Sequence, residues 1–317
     1  MNDQGQTILV TGAAGFAGSH LLDALAGEPC RIVGLRRPGV GAEVEPRFPT
    51  VEWIEVELLD REAVAGTVAK YAPDVIYHLA GAPHAGQSWA HATDALAINV
   101  LATHHVLDGI RTAGPPTRVV VPSSAYVYRP ADHALREEDP LEPANPYAVS
   151  KIATELAAQR AAHHDGIHVV VARAFNHLGS RQDPSFFASA VARQIAQIEA
   201  GQQEPVIRVG NVDTRRDFTD VRDTVRAYIA LARSGQAGGI YNVCTGKARL
   251  VRELLEGLVR LATVPVTIEP DPARFRPNDT ALLLGDPSRI MREVGWAPTI
   301  PFEQTLRDLL EYWRHQI

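Results

Sequence analysis

Two short stretches hold the residue types that proton chemistry needs. In "VPSSAYVY" (121–128) an apolar run ends in Ser123 and Ser124, followed by two tyrosines and no carboxylate. In "NPYAVSK" (145–151) Tyr147 precedes Lys151 by four residues. On a helix that spacing puts the phenol and the ammonium on one face. A free phenol, with a pKa of ~10, is a poor acid-base group at neutral pH, and a nearby ammonium stabilises the phenolate. A serine hydroxyl aimed at the same oxygen would complete a proton-transfer site. Tyr-x-x-x-Lys is common in helices, so its meaning rests on what the fold sets beside it.

The elements that must position these residues are legible as alternating runs. "TILVTG" (7–12), "RIVGL" (31–35), "VEWIEV" (51–56), "DVIYHLA" (74–80), "TRVVVPSS" (117–124) and "IHVVVARAF" (167–175) read as strands. Helical segments at 16–26, 60–70, 92–113 and 147–164 lie among them. Near-continuous apolar strands separated by helices predict an α/β fold, a doubly wound parallel Rossmann sheet whose ligands bind at the carboxyl ends of the strands. After Phe175 the pattern loosens into helices, a short strand "PVIRVG" and polar loops. "VRDTVRAYIALARSG" ends at Gly235 as a C-cap, and "DPSRIMREVG" reads as a short capped helix. The division expected is 1–175 for the dinucleotide, with contributions from about 207–235, and 176–317 as a smaller mixed α/β substrate lobe.

"VTGAAGFAGSHL" places Gly12, Gly15 and Gly18 between a strand and a helix. The first allows the tight turn, the second a close backbone approach to a pyrophosphate, and the third close packing of helix on strand. Backbone N–H groups and the helix dipole then attract the phosphates. At the end of the second strand an acid would select a ribose 2′-hydroxyl, but Arg36 and Arg37 stand there. Two guanidiniums suit a 2′-phosphate, so NADP(H) is expected over NAD(H).

Composition removes other classes. A net charge of −6 offers no general attraction to nucleic acid or anionic lipid. No apolar run approaches the ~18 residues of a membrane span, and "MNDQGQTILV" has no signal-peptide pattern. Cys30 and Cys244 lack a metal-ligand spacing and read as buried reduced thiols of a cytoplasmic protein. The pairs His104-His105 and His163-His164 read as helix surface; no metal is expected.

Taken with "YHLAG", "INVLATHHVL" and "RAFNHLG", these motifs resemble, nearly end to end, the extended short-chain dehydrogenase/reductases that modify nucleotide sugars. The resemblance implies Ser124, Tyr147 and Lys151 as the catalytic triad, with Ser123 the neighbouring alternative to Ser124. It implies cofactor contacts from Gly12, Gly15, Phe16, Ala17, Gly18, Arg36, Arg37, Glu57, Leu58, Leu79 and Ala80, with Asn99 in support. Two positions depart from the pattern: Glu57 replaces an aspartate and Ala174 a proline.

Dehydratases of this family carry a carboxylate just after the catalytic hydroxyl, where this chain has Ala125 and Tyr126. "FNHLGSRQDPSFFASAVARQIAQIEAG", "VGNVDTRRDFTDVRD" and "RFRPNDTALLLGDPSRI" resemble GDP-mannose 4,6-dehydratases and, still more, GDP-6-deoxy-4-ketomannose reductases. By that likeness Asn176 and Arg216 face the diphosphate, with Arg215 turned to solvent, and Arg276 and Asp279 hold the nucleotide. His84, Gln87, Ser88 and His177 would line the sugar pocket. The expectation is an NADPH-dependent 4-ketoreductase giving GDP-6-deoxymannose. The alternative is a 4-epimerase with retained NAD; less favoured are a dehydratase and a non-catalytic NADP-binding regulator. The resemblance also implies a homodimer through a four-helix bundle formed by 92–113 and 147–164.

Overall fold

The computed structural model describes residues 5–82, 92–114, 116–274 and 280–317. Strands β1 (Gln6–Thr11), β2 (Cys30–Arg36), β3 (Glu52–Glu55), β4 (Val75–His78), β5 (Arg118–Ser124) and β6 (His168–Ala174) carry the apolar runs. Between them lie α1 (Phe16–Leu25), α2 (Arg61–Tyr71), α3 (Ala92–Leu96), α4 (Ala102–Ala113) and α5 (Pro146–His164). The second half adds β7 (Asn176–Leu178), α6 (Phe187–Glu199), β8 (Val206–Val209), β9 (Arg215–Asp220), α7 (Val221–Ser234) and β10 (Ile240–Val243). It continues with β11 (Ala248–Leu250), α8 (Val251–Arg260), β12 (Thr267–Pro270), β13 (Leu282–Leu283), α9 (Ser288–Val294) and α10 (Phe302–Arg314).

The large sheet has the order β10-β6-β5-β4-β1-β2-β3, and every pairing in it is parallel. Strand order reverses between β1 and β4, which opens a crevice at their carboxyl ends. Both faces are covered, which is why the strands read as unbroken apolar runs. Val120 joins the core under α1 and α7, while Val119 and Val121 join the core under α2, α4 and α5. A third core unites α6, α8, α10 and β8 around Ile195, Ile207, Leu258 and Leu309.

Four details differ from expectation. The stretch 92–113 is not one helix: a π turn, Ala97–Leu101, separates α3 from α4 around Asn99. The second half contains small sheets, β11-β9-β13 with β7 alongside β9, and β12-β8, whose strands are too short to print an alternating pattern. It also returns β10 to the large sheet as a seventh strand. Cys244 is buried, whereas Cys30 is only partly covered; both thiols are unpaired.

Tyr241 of β10 is fully buried and has Arg289 over its ring at 5.1 Å. Tyr241→Ala should cost about 3–5 kcal/mol, seen as a lowered urea midpoint with an unchanged slope.

Candidate active site

The crevice at the switch point begins with the glycine turn. Gly12 has φ +65°, and a Cβ there would lie 2.8 Å from the Ala80 nitrogen and 3.0 Å from the Leu79 carbonyl carbon. The turn thus rests directly on the chain leaving β4. A Cβ on Gly18 would come within 2.1 Å of the Gly12 oxygen, so only glycine lets α1 approach this closely. Gly15 caps α1 without a side-chain hydrogen bond, and no acid stands in its first turn. The first N–H groups of α1, those of Phe16, Ala17 and Gly18, therefore face an anion site with nothing of like charge in the way. A dinucleotide pyrophosphate fits this cradle.

Beyond β2 the two arginines behave differently. The Arg36 guanidinium is held by Glu45 at 2.5 Å and by Glu55, whose carboxylate also accepts from the Gly39 N–H at 3.2 Å. Arg37 is exposed and has no ion-pair partner among the described residues. Of the two, Arg37 has its cationic donors unspent. Glu57 is exposed and accepts the Leu59 N–H at 3.0 Å, while buried Leu58 accepts from His105 Nδ1 at 2.9 Å.

Opposite the turn, β5 delivers Ser124 and α5 delivers Tyr147 and Lys151. Asn145 is the N-cap of α5, its side chain accepting the Ala148 N–H at 2.9 Å, and Pro146 occupies the first helical position. "NPY" is thus a helix start that fixes where the phenol points. Ser124 Oγ accepts the Tyr126 N–H at 3.2 Å and lies close enough to the Tyr147 hydroxyl to favour its ionised form. Ser123 Oγ is buried without a partner among the described residues. The geometry therefore brings Ser124, not its neighbour, to the tyrosine.

Lys151 Nζ donates to the Pro122 carbonyl at 3.0 Å and lies 5.8 Å from the centre of the Tyr147 ring. Burial pushes its pKa down to about 8, against an upward pull from Glu155 one helical turn on. Tyr147 is pushed up to about 12 by burial, with the Ser124 hydrogen bond acting the other way. Burial of the phenol therefore outweighs the help of its hydroxyl partner. The ammonium is spent on a carbonyl, and desolvation of the phenolate wins. Among the described residues, none of the groups acting on Tyr147 is a carboxylate.

A directed hydrogen-bond chain holds these parts, and most of its members were missed in the sequence. Thr103 Oγ1 donates to the Asn99 carbonyl at 2.6 Å, so it accepts from His78 Nε2 at 3.1 Å. His78 Nδ1 then accepts from Thr11 Oγ1 at 2.9 Å, and Thr11 Oγ1 accepts the Ala80 N–H at 3.1 Å. Asn99 takes the Ala82 N–H at 2.9 Å and donates to Ser150 Oγ at 2.8 Å, which in turn donates to the Tyr147 carbonyl at 2.7 Å. Burial drives the His78 pKa down to about 3, helped by Lys151, so the ring is neutral. A histidine inside the apolar run "DVIYHLA" was the available signal, since a buried polar group needs partners.

On the substrate side, Asn176 of β7 registers with Phe218 of β9, two residues from Arg216, so Asn176 and Arg216 share a face of the small sheet. Asn176 Oδ1 is buried without a partner among the described residues. Arg216 is buried, with hydrogen bonds from Nη1 to the Arg215 and Thr280 carbonyls at 2.8 and 2.6 Å; Arg215 is exposed. His177 stacks on Phe16 at 5.8 Å and so faces the glycine turn. Arg276, Asp279, His84, Gln87 and Ser88 lie outside the described residues.

A parallel sheet of this order, with a glycine turn at its switch point and a Tyr-x-x-x-Lys helix across from it, defines an NAD(P)-dependent oxidoreductase of the extended short-chain dehydrogenase/reductase type. Residues 9–309 match the family model described as GDP-mannose 4,6 dehydratase, and the chain belongs to that family of nucleotide-sugar enzymes. It is 35% identical to the GDP-6-deoxy-D-mannose reductase of Pseudomonas aeruginosa, over 98% of each chain. It is 30% identical to the UDP-glucose 4-epimerase of Mycolicibacterium smegmatis, over 97% of this chain and 98% of that one. Among solved structures it is similar to RMD from Pseudomonas aeruginosa complexed with NADPH, with a TM-score of 0.85, 33% identity and coverage of 98% and 100%.

The depressed pKa means that protonated Lys151 opposes folding below about pH 8, a cost that fades toward its ordinary 10.5. Lys151→Met should therefore raise the melting temperature at pH 7 by roughly 2 °C or more while cutting turnover by at least about 100-fold. Calorimetry beside a rate assay checks both.

Proposed function

We propose that the protein is an NADPH-dependent nucleotide-sugar 4-ketoreductase that converts GDP-4-keto-6-deoxymannose to GDP-6-deoxymannose. The observation that carries this reading is that, among the described residues, the side chains acting on Tyr147 are hydroxyls, with the Lys151 ammonium nearby and no carboxylate. Ala125, 1% exposed, and Tyr126 occupy the places where elimination of water would need an acid. A reduction needs only a donor for the oxygen that becomes negative.

The nicotinamide, when bound, supplies hydride to the sugar C4. Tyr147 is protonated throughout the neutral range and gives its proton to the developing C4 alkoxide, a far stronger base than a phenolate. Ser124 donates to the same oxygen, and both donors are in place before charge develops. Lys151 offers its ammonium to the ribose hydroxyls and to the phenolate that remains. The N–H groups of Phe16, Ala17 and Gly18 hold the pyrophosphate, and Leu79, Ala80 and Leu58 border the nucleotide. Asn176 and Arg216 serve the GDP diphosphate, while Arg276 and Asp279 help hold the nucleotide. On this reading 1–175 serves mainly the cofactor and 176–317 mainly the sugar nucleotide.

NADP(H) rather than NAD(H) is supported by Arg37, and by the similar Pseudomonas structure, which was solved with NADPH. A retained-NAD epimerase is the second reading, favoured by the Mycolicibacterium relative. Leu96, Leu101, Val149 and Leu156, the last 65% exposed, form an apolar strip on α3, α5 and the π turn between α3 and α4. It supports a homodimer through a four-helix bundle.

Purified protein given GDP-4-keto-6-deoxymannose and NADPH should consume absorbance at 340 nm and emerge free of tightly held NAD. No absorbance loss together with copurified NAD contradicts the reductase reading. Arg37→Ala should raise the KM for NADPH by about 10-fold or more while leaving that for NADH nearly unchanged. Arg36→Ala should chiefly lower stability, since its partners are protein carboxylates. Turnover should hold steady up to about pH 8 and then fall by about tenfold per unit as Lys151 loses its proton.

A further inference from the structure

Arg173 and Glu155 are ions at positions where the sequence pattern calls for apolar side chains. Arg173 interrupts "HVVVARA" of β6, Glu155 points inward from α5, and each is 3% exposed. They meet in a two-pronged pair, Nε to Oε1 at 2.9 Å and Nη2 to Oε2 at 2.8 Å. The third guanidinium nitrogen, Nη1, donates to the Glu137 carbonyl at 2.9 Å, and the group lies over the Tyr128 ring at 4.8 Å. Tyr128 donates to Asn242 Oδ1 at 2.6 Å, and the Asn242 N–H donates to Glu137 Oε1 at 2.7 Å. One buried guanidinium thus joins α5, β6, β10 and the segment that follows Ser124.

The pair spans the two elements that carry the site. Arg173 registers with Ser123 and its neighbour Ala174 with Ser124, while Glu155 follows Lys151 by one helical turn. Stability does not explain it, because well-packed apolar residues usually replace a buried ion pair at no loss. The charges facing Lys151 are few. His78 from β4 is neutral, Tyr147 on the same helix is protonated, and the Arg173 cation lies on the far side of its pair with Glu155 in sequence order, on β6. Among the described residues, Glu155 is the anion that acts on the ammonium.

We propose that Glu155 and Arg173 are positioning residues: their ion pair locks the turn of α5 bearing Lys151 against the strand end bearing Ser124, with the Glu155 carboxylate one helical turn from Lys151. The inference rests on the reductase reading above, in which Lys151 acts as a cation.

The test uses the chain's three lysines, Lys70, Lys151 and Lys247, which make lysine-resolved NMR titration of the cofactor-free protein practical. In the double variant Glu155→Leu, Arg173→Met the fold and melting temperature should be retained. The Lys151 midpoint should fall by roughly half a unit or more. With keto sugar and NADPH, kcat should drop by about 10-fold or more while KM stays within about threefold. A folded double variant with an unchanged Lys151 midpoint and unchanged kcat overturns the proposal. If that variant does not fold, Glu155→Gln, Arg173→Gln keeps a neutral polar pair in place and reads the same midpoint, and an unmoved midpoint overturns it equally. The titration needs neither substrate nor cofactor. A wild-type protein inert toward the keto sugar would refute the reaction assigned, while the Lys151 midpoint would still decide the role of the pair.

Discussion

An ammonium held inside the protein beside a phenol is the constraint around which the rest is arranged. Desolvation opposes the charge on Lys151 and equally opposes the phenolate of Tyr147. Neither residue could be kept there by local preference alone. The Pro122 carbonyl takes one ammonium proton, the Asn145 cap and Pro146 set the start of the helix, and Ser124 meets the phenol. Gly81 must be glycine for the same reason: a Cβ there would lie 2.7 Å from Asn99 Oδ1 and 3.7 Å from Lys151 Nζ. Stability is given up locally to keep a phenol and an ammonium together in the crevice.

The cofactor cradle and the proton donor belong to one framework. Thr11 at the end of β1, His78 on β4, Thr103 on α4 and Asn99 in the π turn form a one-way series of hydrogen bonds that closes on Ser150 and the Tyr147 carbonyl. Within the π turn Asn99 bonds in two directions through its side chain and lends its carbonyl to both Thr103 and Thr154, at 2.6 and 3.0 Å. Insertions of this kind in helices often mark functional places. Here the inserted turn lets one side chain reach both the chain after β4 and the start of α5.

Much of this was legible in the sequence, for identifiable reasons. The six strands of the first half lie within two residues of the apolar runs, because burial on both faces leaves an unbroken pattern. The glycine turn was readable because each glycine answers a different steric demand. The fate of Arg36 was not readable: its partners Glu45 and Glu55 come from elements whose approach only the fold determines. The π turn was hidden because 92–113 shows continuous helical character, and β10 because four residues make too weak a pattern. Ser123 and Ser124 could be told apart only once strand register was known. His78, Glu155 and Arg173 were a different kind of miss, since each is a polar residue in an apolar run and so announces a buried partner.

The reductase and epimerase readings share a fold, a turn and a set of hydroxyls, and they divide on whether hydride comes from outside the sugar. Arg37, with its donors unspent, suits an NADPH that comes and goes; Ala125 and Tyr126 suit a reaction without elimination. The most direct measurement is the fate of deuterium from NADPH dideuterated at nicotinamide C4 in a single turnover with GDP-4-keto-6-deoxymannose, followed by mass spectrometry and NMR of the sugar. The account predicts one deuterium at C4 of the product for each NADPH oxidised. Product formed without deuterium, or none formed while the labelled NADPH remains intact, would contradict it.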